Sequence, residues 1–313
     1  MSAPLVSVIM PVHNRPALLP LAVQSVFAQT YTEWELLIAD DGSTDATVRV
    51  LAELHQPPRV RITRLAHSGN PAVVRNAALR EARGEFLAFL DSDDQWMPEK
   101  LALQMALLRT QPARRWSYTG FLHVDASGEP LADGAFERWQ PCDGEVFAAT
   151  VTGRAPIRTA SVAMAQRALV EEVGGFDEAL DCGQDYDLWM RLALRSEVSV
   201  VRSPLTAVRV HAASHSMRFP PRALELRALS LRKIAGSAPA QWQPLIAAQL
   251  RRNAAALAAS YLAQGAAGEM LASMRRSLAS CWRDPRWWAS SARTLLRAGW
   301  RRRARERSRA LAS

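Results

Sequence analysis

The sequence is short of cysteine, of long apolar runs and, in its last third, of acid. Cys142, Cys182 and Cys281 are the three cysteines in 313 residues. They are odd in number and widely spaced, so they form neither a disulfide framework nor a thiolate metal pattern, and they read as incidental residues of a reducing compartment. No uninterrupted apolar stretch approaches about 18 residues, which excludes a membrane-spanning helix. A strand-like run begins after four residues and leaves no room for a signal peptide, so a cytoplasmic protein is expected.

Acid is unevenly distributed. The chain carries +9 overall, yet residues 222–313 hold 18 Lys and Arg against 4 Asp and Glu, roughly +14, leaving residues 1–221 near −5. That division predicts two regions, 1–221 and 222–313, with different partners, one of them anionic. No nucleic-acid-binding module accompanies the basic charge, so nucleic acid is not an expected partner. The remaining composition, 49% hydrophobic and 22% charged, is that of an ordinary soluble globular protein.

What the first hundred residues do contain is an alternation of strand and helix. Val6–Met10 is an apolar run closed by Pro11, and Pro16 opens a helical pattern through Leu19, Val23 and Val26. Trp34–Ala39 is a second strand, Asp40–Ser43 its turn, and Thr44 with Asp45 caps a helix carrying Val48, Leu51 and Leu54. Val60–Leu65 alternates as a third strand. An alanine-rich helix over 71–83 is stopped by Gly84, and Glu85–Leu90 is a fourth strand. This order predicts an α/β fold with a mixed, mainly parallel sheet flanked by helices. Ligands of such sheets bind beyond the carboxyl ends of the strands, and Pro11–Arg15, Asp40–Ser43 and Asp91–Asp94 all fall there.

Residues 110–160 show no clean pattern and are expected to be strands or loops along one side of a cleft. Helices are predicted over Gln166–Val173 and Gln184–Leu194, around a break at Gly174-Gly175. Short strands are predicted over Val198–Val201 and Ala207–Val210. From residue 222 the pattern is helical throughout, a C-terminal appendage in which Leu245–Gln264, Gly265 and Glu269–Ser280 read as a helix–turn–helix pair.

Asp91, Asp93 and Asp94 place three carboxylates within four residues at the end of a buried strand. Like charges that close raise one another's pKa, and a divalent cation removes the conflict. Hard oxygen ligands suit manganese or magnesium, ions that usually hold a substrate phosphate as well. On these residues alone, a solvated acidic loop fits equally well, with Asp94 turned outward to cap the next helix.

Four ordered motifs carry a resemblance. Val6 to Arg15, Ala39 to Asp45, Ala78 to Gly84 with Phe89 to Asp94, and Gly174 to Glu178 with Asp185 to Trp189 are similar to family 2 glycosyltransferases, over roughly residues 4–215. The resemblance implies the GT-A (Rossmann-like) fold and inverting sugar transfer from a nucleoside diphosphate sugar, a UDP-sugar first, to an acceptor hydroxyl with a divalent metal. A glycan or lipid-linked acceptor in cell-envelope synthesis follows from the same likeness. Donor-binding residues implied are Pro11, Val12, Asn14 and Arg15 after the first strand, Asp41 on the base N–H, Arg75 toward the diphosphate, Asn76 on ribose or a loop carbonyl, and Asp91 with Ser92. Metal ligands implied are Asp93 directly, Asp91 directly or through water, and His211. A helix cap for Asp41 and a surface position for Arg15 stay open on the residues themselves.

Asp185 is the implied catalytic base, taking the proton of the attacking hydroxyl. The family's acidic pair reads Gln184-Asp185 here, so the first carboxylate is missing and no adjacent like charge raises the second. Asp187 is expected to be a cap or salt-bridge partner, and Trp189 a core contact. His13, His67 and His123 find no partner in the sequence. Trp282, Trp287, Trp288 and Trp300 alternate with arginines up to Arg305, a composition suited to an anionic membrane surface or to a packed helix with a basic tail. A nucleotidyltransferase and a catalytically silent nucleotide-sugar-binding module are the rival readings of the whole.

Overall fold

A computed structural model describes residues 5–210, apart from 133, 137, 155, 156 and 158, and residues 220–281 together with Ala289 and Ala292. The chain divides into two compact units, Met1–Ser214 and His215–Ser313.

The first unit is built on one eight-stranded sheet. Its strands are β1 (Val6–Val12), β2 (Trp34–Asp40), β3 (Val60–Arg64), β4 (Phe86–Phe89), β5 (Gln95–Trp96), β6 (Trp116–Val124), β7 (Ala163–Gln166) and β8 (Val198–Arg209). They lie in the order β3-β2-β1-β4-β7-β6-β8-β5. The β3-β2-β1-β4 half is parallel, β7 runs antiparallel between β4 and β6, and β6 pairs β8 in parallel. Its helices are α1 (Leu19–Phe27), α2 (Thr47–Leu54), α3 (Pro71–Glu81), α4 (Lys100–Thr110), α5 (Phe147–Thr152), α6 (Arg167–Glu172) and α7 (Gln184–Ala193).

The period-two alternation of the strands sorts the apolar residues onto two faces. Val6, Val8 and Met10 of β1, with Leu36 and Ile38 of β2, meet α1, α2 and α4. Ile9, Leu37, Ala39, Leu87 and Phe89 face α3, α6 and α7. On that second face Trp189 stacks on Trp116 at 5.9 Å and takes the edge of Phe89 at 6.0 Å. Truncating so buried an indole costs about 3–5 kcal/mol, and it is this contact that fixes α7 against the sheet. Gly84 lies so close to β1 that a Cβ there would sit 2.6 Å from the Ser7 nitrogen, which brings β4 tightly beside β1.

Three sequence expectations are corrected. The stretch expected to begin a helix at Gln166 is preceded by a sheet strand, β7, that the pattern does not show. The two short strands expected after residue 198 are one, β8, whose register against β6 shifts on both sides of Gly120 to absorb Arg202, Ser203 and Leu205. The first helix begins at Leu19 rather than Pro16, because the Arg15 N–H donates to the Thr47 hydroxyl (2.8 Å), holding residues 13–18 as a loop.

The second unit contains α8 (Pro220–Ser237), α9 (Gln243–Ala263) and α10 (Ala267–Cys281), each packed on the next. Leu226, Leu231 and Ile234 of α8, with Ile246, Leu257 and Ala258 of α9, supply its buried apolar surface. Asn253 donates to the Leu224 carbonyl (2.7 Å) and Tyr261 to Glu225 (2.8 Å), so α9 is tied to α8 as well as forming the expected pair with α10. No helix among the described residues is long and apolar enough to cross a membrane. His211 and residues 282–288 lie outside the described residues.

Candidate active site

The loops after β1, β2 and β4 meet at the carboxyl edge of the sheet. Pro11 and Val12 end β1, and the Val12 carbonyl accepts from the Asp41 N–H (2.9 Å). Asn14 adopts a left-handed backbone (φ 49°), unusual for a residue with a side chain. Its Oδ1 accepts from Thr44 N (3.0 Å) and its own N–H donates to the Ser43 hydroxyl (3.0 Å). The first two loops are therefore laced into one surface.

Asp40 is buried and turned inward, accepting from Ser43 N (3.0 Å) and pairing with Arg64. Asp41 faces a different loop. Its Oδ1 accepts from the Ser68 N–H (2.7 Å) and hydroxyl (2.8 Å), and its Oδ2 from Gly69 N (2.9 Å). Burial pushes this carboxyl upward, but those donors outweigh it and hold the acid below its ordinary range. Two histidines that find no partner in the sequence frame it: the His13 and His67 rings stack at 4.1 Å, and each Nδ1 lies 2.9 Å from the Asp41 carbonyl oxygen. They come from loops 54 residues apart and share no motif, so no sequence signal announces them.

Beyond β4, Asp91 pairs with Arg75 of α3 at 2.5 Å and receives the Thr159 hydroxyl at 3.3 Å. Arg75 is buried, lies over the Phe176 ring at 5.4 Å, and its Nε and Nη1 find no hydrogen-bond partner. Asp93 is a quarter exposed and 3.9 Å from the Arg15 guanidinium. Ser92, between them, is buried. Asp94 does not cap α4. It is buried, accepts from the Ser161 hydroxyl (2.6 Å) and from the Arg209 N–H (3.0 Å), while α4 starts several residues later behind Glu99. Burial, and then the charges of Asp93 and Asp91, push the Asp94 carboxyl well up. This surplus of negative charge around hard oxygen donors is a setting that fits a divalent cation.

Asp185 sits in the first turn of α7, behind Gly183, whose left-handed backbone (φ 70°) turns the chain into the helix. Its Oδ1 accepts from the Tyr186 N–H at 2.8 Å. Burial raises its carboxyl; the Arg75 charge and the Tyr186 N–H oppose the rise, and the Asp91 charge adds to it. The Arg75 charge thus acts on both aspartates, pairing with Asp91 and opposing the rise at Asp185. Gln184 beside it is buried, with Oε1 unpartnered. Asp187 points to the other side of α7 and pairs with Arg191 at 2.6 Å.

Asn76, the next residue of α3, is engaged with another loop. Its amide brackets the Phe176 backbone, donating to the carbonyl (2.8 Å) and accepting from the N–H (3.0 Å). Arg191 donates to the carbonyls of Val173 and Gly175, both at 2.7 Å, from the opposite side. The Gly174-Gly175 turn is therefore clamped between α3 and α7. A cavity of about 670 Å³ runs beneath it, past Leu79, Arg80 and Arg167, and does not include Asp91, Asp93 or Asp185.

A sheet of this order, with an acid loop after β4 and a second acidic locus at the start of α7, is the GT-A architecture. The chain belongs to glycosyl transferase family 2, whose sequence profile it matches over residues 7–174. Among solved structures it resembles S. aureus TarS residues 1–349 in complex with UDP-GlcNAc, with a TM-score of 0.60, 20% identity, and coverage of 80% of this chain and 81% of that one. It also resembles the mannosyltransferase PcManGT from Pyrobaculum calidifontis in complex with GDP-Man and Mn2+, at 0.60 and 22%, over 96% and 87%. At such identities the likeness is one of fold. In sequence it is 40% identical over 104 residues to the Escherichia coli UDP-Glc:alpha-D-GlcNAc-diphosphoundecaprenol beta-1,3-glucosyltransferase WfgD, 33% of this chain and 41% of that protein. Matches to other curated relatives cover 20%, 34% and 51% of their length.

Proposed function

We propose that the chain transfers a sugar, with inversion, from a nucleoside diphosphate donor to an acceptor hydroxyl. The observation that carries the reading is that Arg75, buried on α3, is paired with Asp91 and its charge also acts on Asp185. Carboxylates on two separate elements, after β4 and on α7, thus feel the charge of one buried guanidinium. The WfgD likeness points to a UDP-sugar and to a lipid-linked acceptor, as in cell-envelope polysaccharide or glycolipid synthesis.

Each residue has a part. The β1 loop, Pro11 to Arg15, cradles the nucleoside. Asp41 accepts the base N–H when one of its bonds to the 68–69 loop yields. The two unpartnered N–H groups of Arg75 donate to the diphosphate. Asp91 and Ser92 border the ribose. Asp93 and Asp91, with His211 as the resemblance implies, would hold a manganese or magnesium ion, and that ion would supply neutralisation of charge on the diphosphate. Asp185 takes the hydroxyl proton as the oxygen attacks the anomeric carbon from the face opposite the leaving group. Its raised carboxyl suits that work, since a base is more effective as its pKa approaches the operating pH. The tryptophan- and arginine-rich segment from Trp282 onward docks on the anionic cytoplasmic face of a membrane, where a lipid-linked acceptor resides.

A panel of nucleotide sugars, each with and without manganese, tests the donor assignment by thermal shift and by release of nucleoside diphosphate. Manganese-dependent stabilisation together with release supports the reading. Stabilisation without any release, on soluble and lipid-linked acceptors alike, makes the chain a binding module. Truncation after residue 280 leaves turnover of a soluble acceptor intact and weakens sedimentation with anionic vesicles; unchanged sedimentation removes the membrane assignment.

A further inference from the structure

Arg209 is the last residue of β8, buried to 5% exposure and fully engaged. Its Nε donates to the Asp93 carbonyl (3.1 Å) and its Nη2 to Gln95 Oε1 (3.2 Å). Its Nη1 donates to the carbonyls of Asp125 (2.8 Å) and Ala126 (2.9 Å), in the turn that follows β6. Its backbone N–H donates to Asp94 Oδ1 (3.0 Å). One side chain thus grips the main chain of the acid loop and the main chain of a loop from another strand.

The chemistry of those partners is unusual. Every acceptor of the guanidinium is a neutral oxygen, and among the described residues no salt bridge to it is formed. A buried cation without a carboxylate partner is costly, and a purely structural tie is made at lower cost by an amide. The 125–128 turn is shaped to meet it: Asp125 Oδ1 accepts from the N–H groups of Ser127 (2.8 Å), Gly128 (3.0 Å) and Glu129 (3.0 Å), and the Asp125 carbonyl, which also takes the Gly128 N–H (3.1 Å), is turned with that of Ala126 toward the guanidinium. On the other side, the grip falls on the carbonyl of Asp93 itself, so it sets the direction in which the Asp93 side chain leaves the backbone. The planar fork of arginine spans both loops, which the single ammonium of lysine cannot do.

We propose that Arg209 is a positioning residue that aims Asp93 for cation binding and couples the acid loop to the 125–128 turn. The assignment rests on the metal reading given above. It goes beyond it in making cation affinity depend on a residue that touches neither cation nor donor, and in making the β6 turn a place from which that affinity can be altered.

The test uses the full chain carrying Arg209→Ala or Arg209→Lys, with Arg195→Ala, an exposed pair with Glu172, as control. The first readout is hydrogen exchange of peptides covering residues 90–97 and 124–130, without metal or nucleotide. Both variants lose protection in both segments together. The second is the manganese concentration that half-saturates UDP binding, which rises by about 10- to 100-fold while UDP binding without metal is unchanged. Guanidinium ion added to Arg209→Ala restores part of the manganese affinity. Protection lost in one segment only, or an unmoved manganese half-saturation in a variant with wild-type circular dichroism, overturns the proposal. If Arg209→Ala does not fold, Arg209→Lys decides the matter on the same two readouts. A wild-type chain whose UDP binding ignores manganese overturns the metal reading and the aiming of Asp93 with it, while exchange still reports on the coupling of the loops.

Discussion

The two ends of the parallel half-sheet handle charge in opposite ways. At the amino ends of the strands, Glu35 of β2 is buried and fully met: it accepts from the Ser7 hydroxyl (2.6 Å), the Arg83 N–H (2.8 Å) and Arg61 (2.9 Å). Arg61 in turn reaches Glu81, which takes the Thr63 hydroxyl. Burial works to raise the Glu35 carboxyl, and the donors more than reverse it, holding it below the ordinary range. At the carboxyl ends, Asp91, Asp93, Asp94 and Asp185 are met by fewer cations, and two of the four carboxyls are pushed up. One end is balanced for stability. The other keeps a surplus of acid, the condition of a surface shaped to complete itself with a ligand.

Substitutions sharpen that contrast. Asp185→Asn is expected to lower kcat by about 10²- to 10⁴-fold with donor affinity unchanged, read by steady-state rates and calorimetric titration; full turnover would remove Asp185 as the base. Asp93→Ala is expected to weaken manganese-dependent donor binding by about 100-fold or more, read by titration with and without the metal. At the other end, Glu35→Ala takes the acceptor from the Ser7 hydroxyl, the Arg83 N–H and Arg61 together and costs about 3 kcal/mol of stability in denaturant unfolding, yet leaves the manganese half-saturation where it was. If it shifts metal binding instead, the two ends are not independent.

Acidification separates the ends further. Glu35 has a depressed carboxyl, so its stabilisation is present above the unfolded pKa and is lost as pH falls through the folded one. Asp94 and Asp185 have raised carboxyls, so their folded forms hold protons more tightly, and they cost stability as pH rises from about 4 through their folded values. Asp94→Asn is therefore expected to raise the metal-free unfolding midpoint at neutral pH by about 2 °C, while Glu35→Gln lowers it. For turnover, Asp185 must be ionised, which places the acid limb of kcat/KM above the roughly 4 of an ordinary aspartate; a limb at or below that value would contradict the raised carboxyl.

Much of this molecule is legible in its sequence, for identifiable reasons. Strands β1, β2 and β4 are nearly continuous apolar runs ended by proline or aspartate, the signature of strands buried on both faces. Asp91, Asp93 and Asp185 stand in ordered motifs, and the charge of Arg75, from α3, acts on Asp91 and Asp185. What escapes reading is made by tertiary contact. Ala163-Met164-Ala165-Gln166 has the composition of a helix and is a strand only because β4 and β6 flank it. Ser161, Thr159 and Ser68 are single hydroxyl residues with no periodicity, and each meets its aspartate from 27 to 70 positions away. The inward turn of Asp94 is hidden for the same cause: its partners, Ser161 and Arg209, are distant in sequence.

The amide of Asn76 has a consequence for engineering. It stands one position after Arg75, so the helix that presents the guanidinium to Asp91 also holds the Phe176 backbone. A chimera that imports the 173–178 loop from a relative, in order to redirect acceptor choice, severs this bracket unless the residue at position 76 travels with it. The natural unit of exchange is the loop together with the helix, and a swap that respects only the loop's own borders is expected to disturb donor handling too.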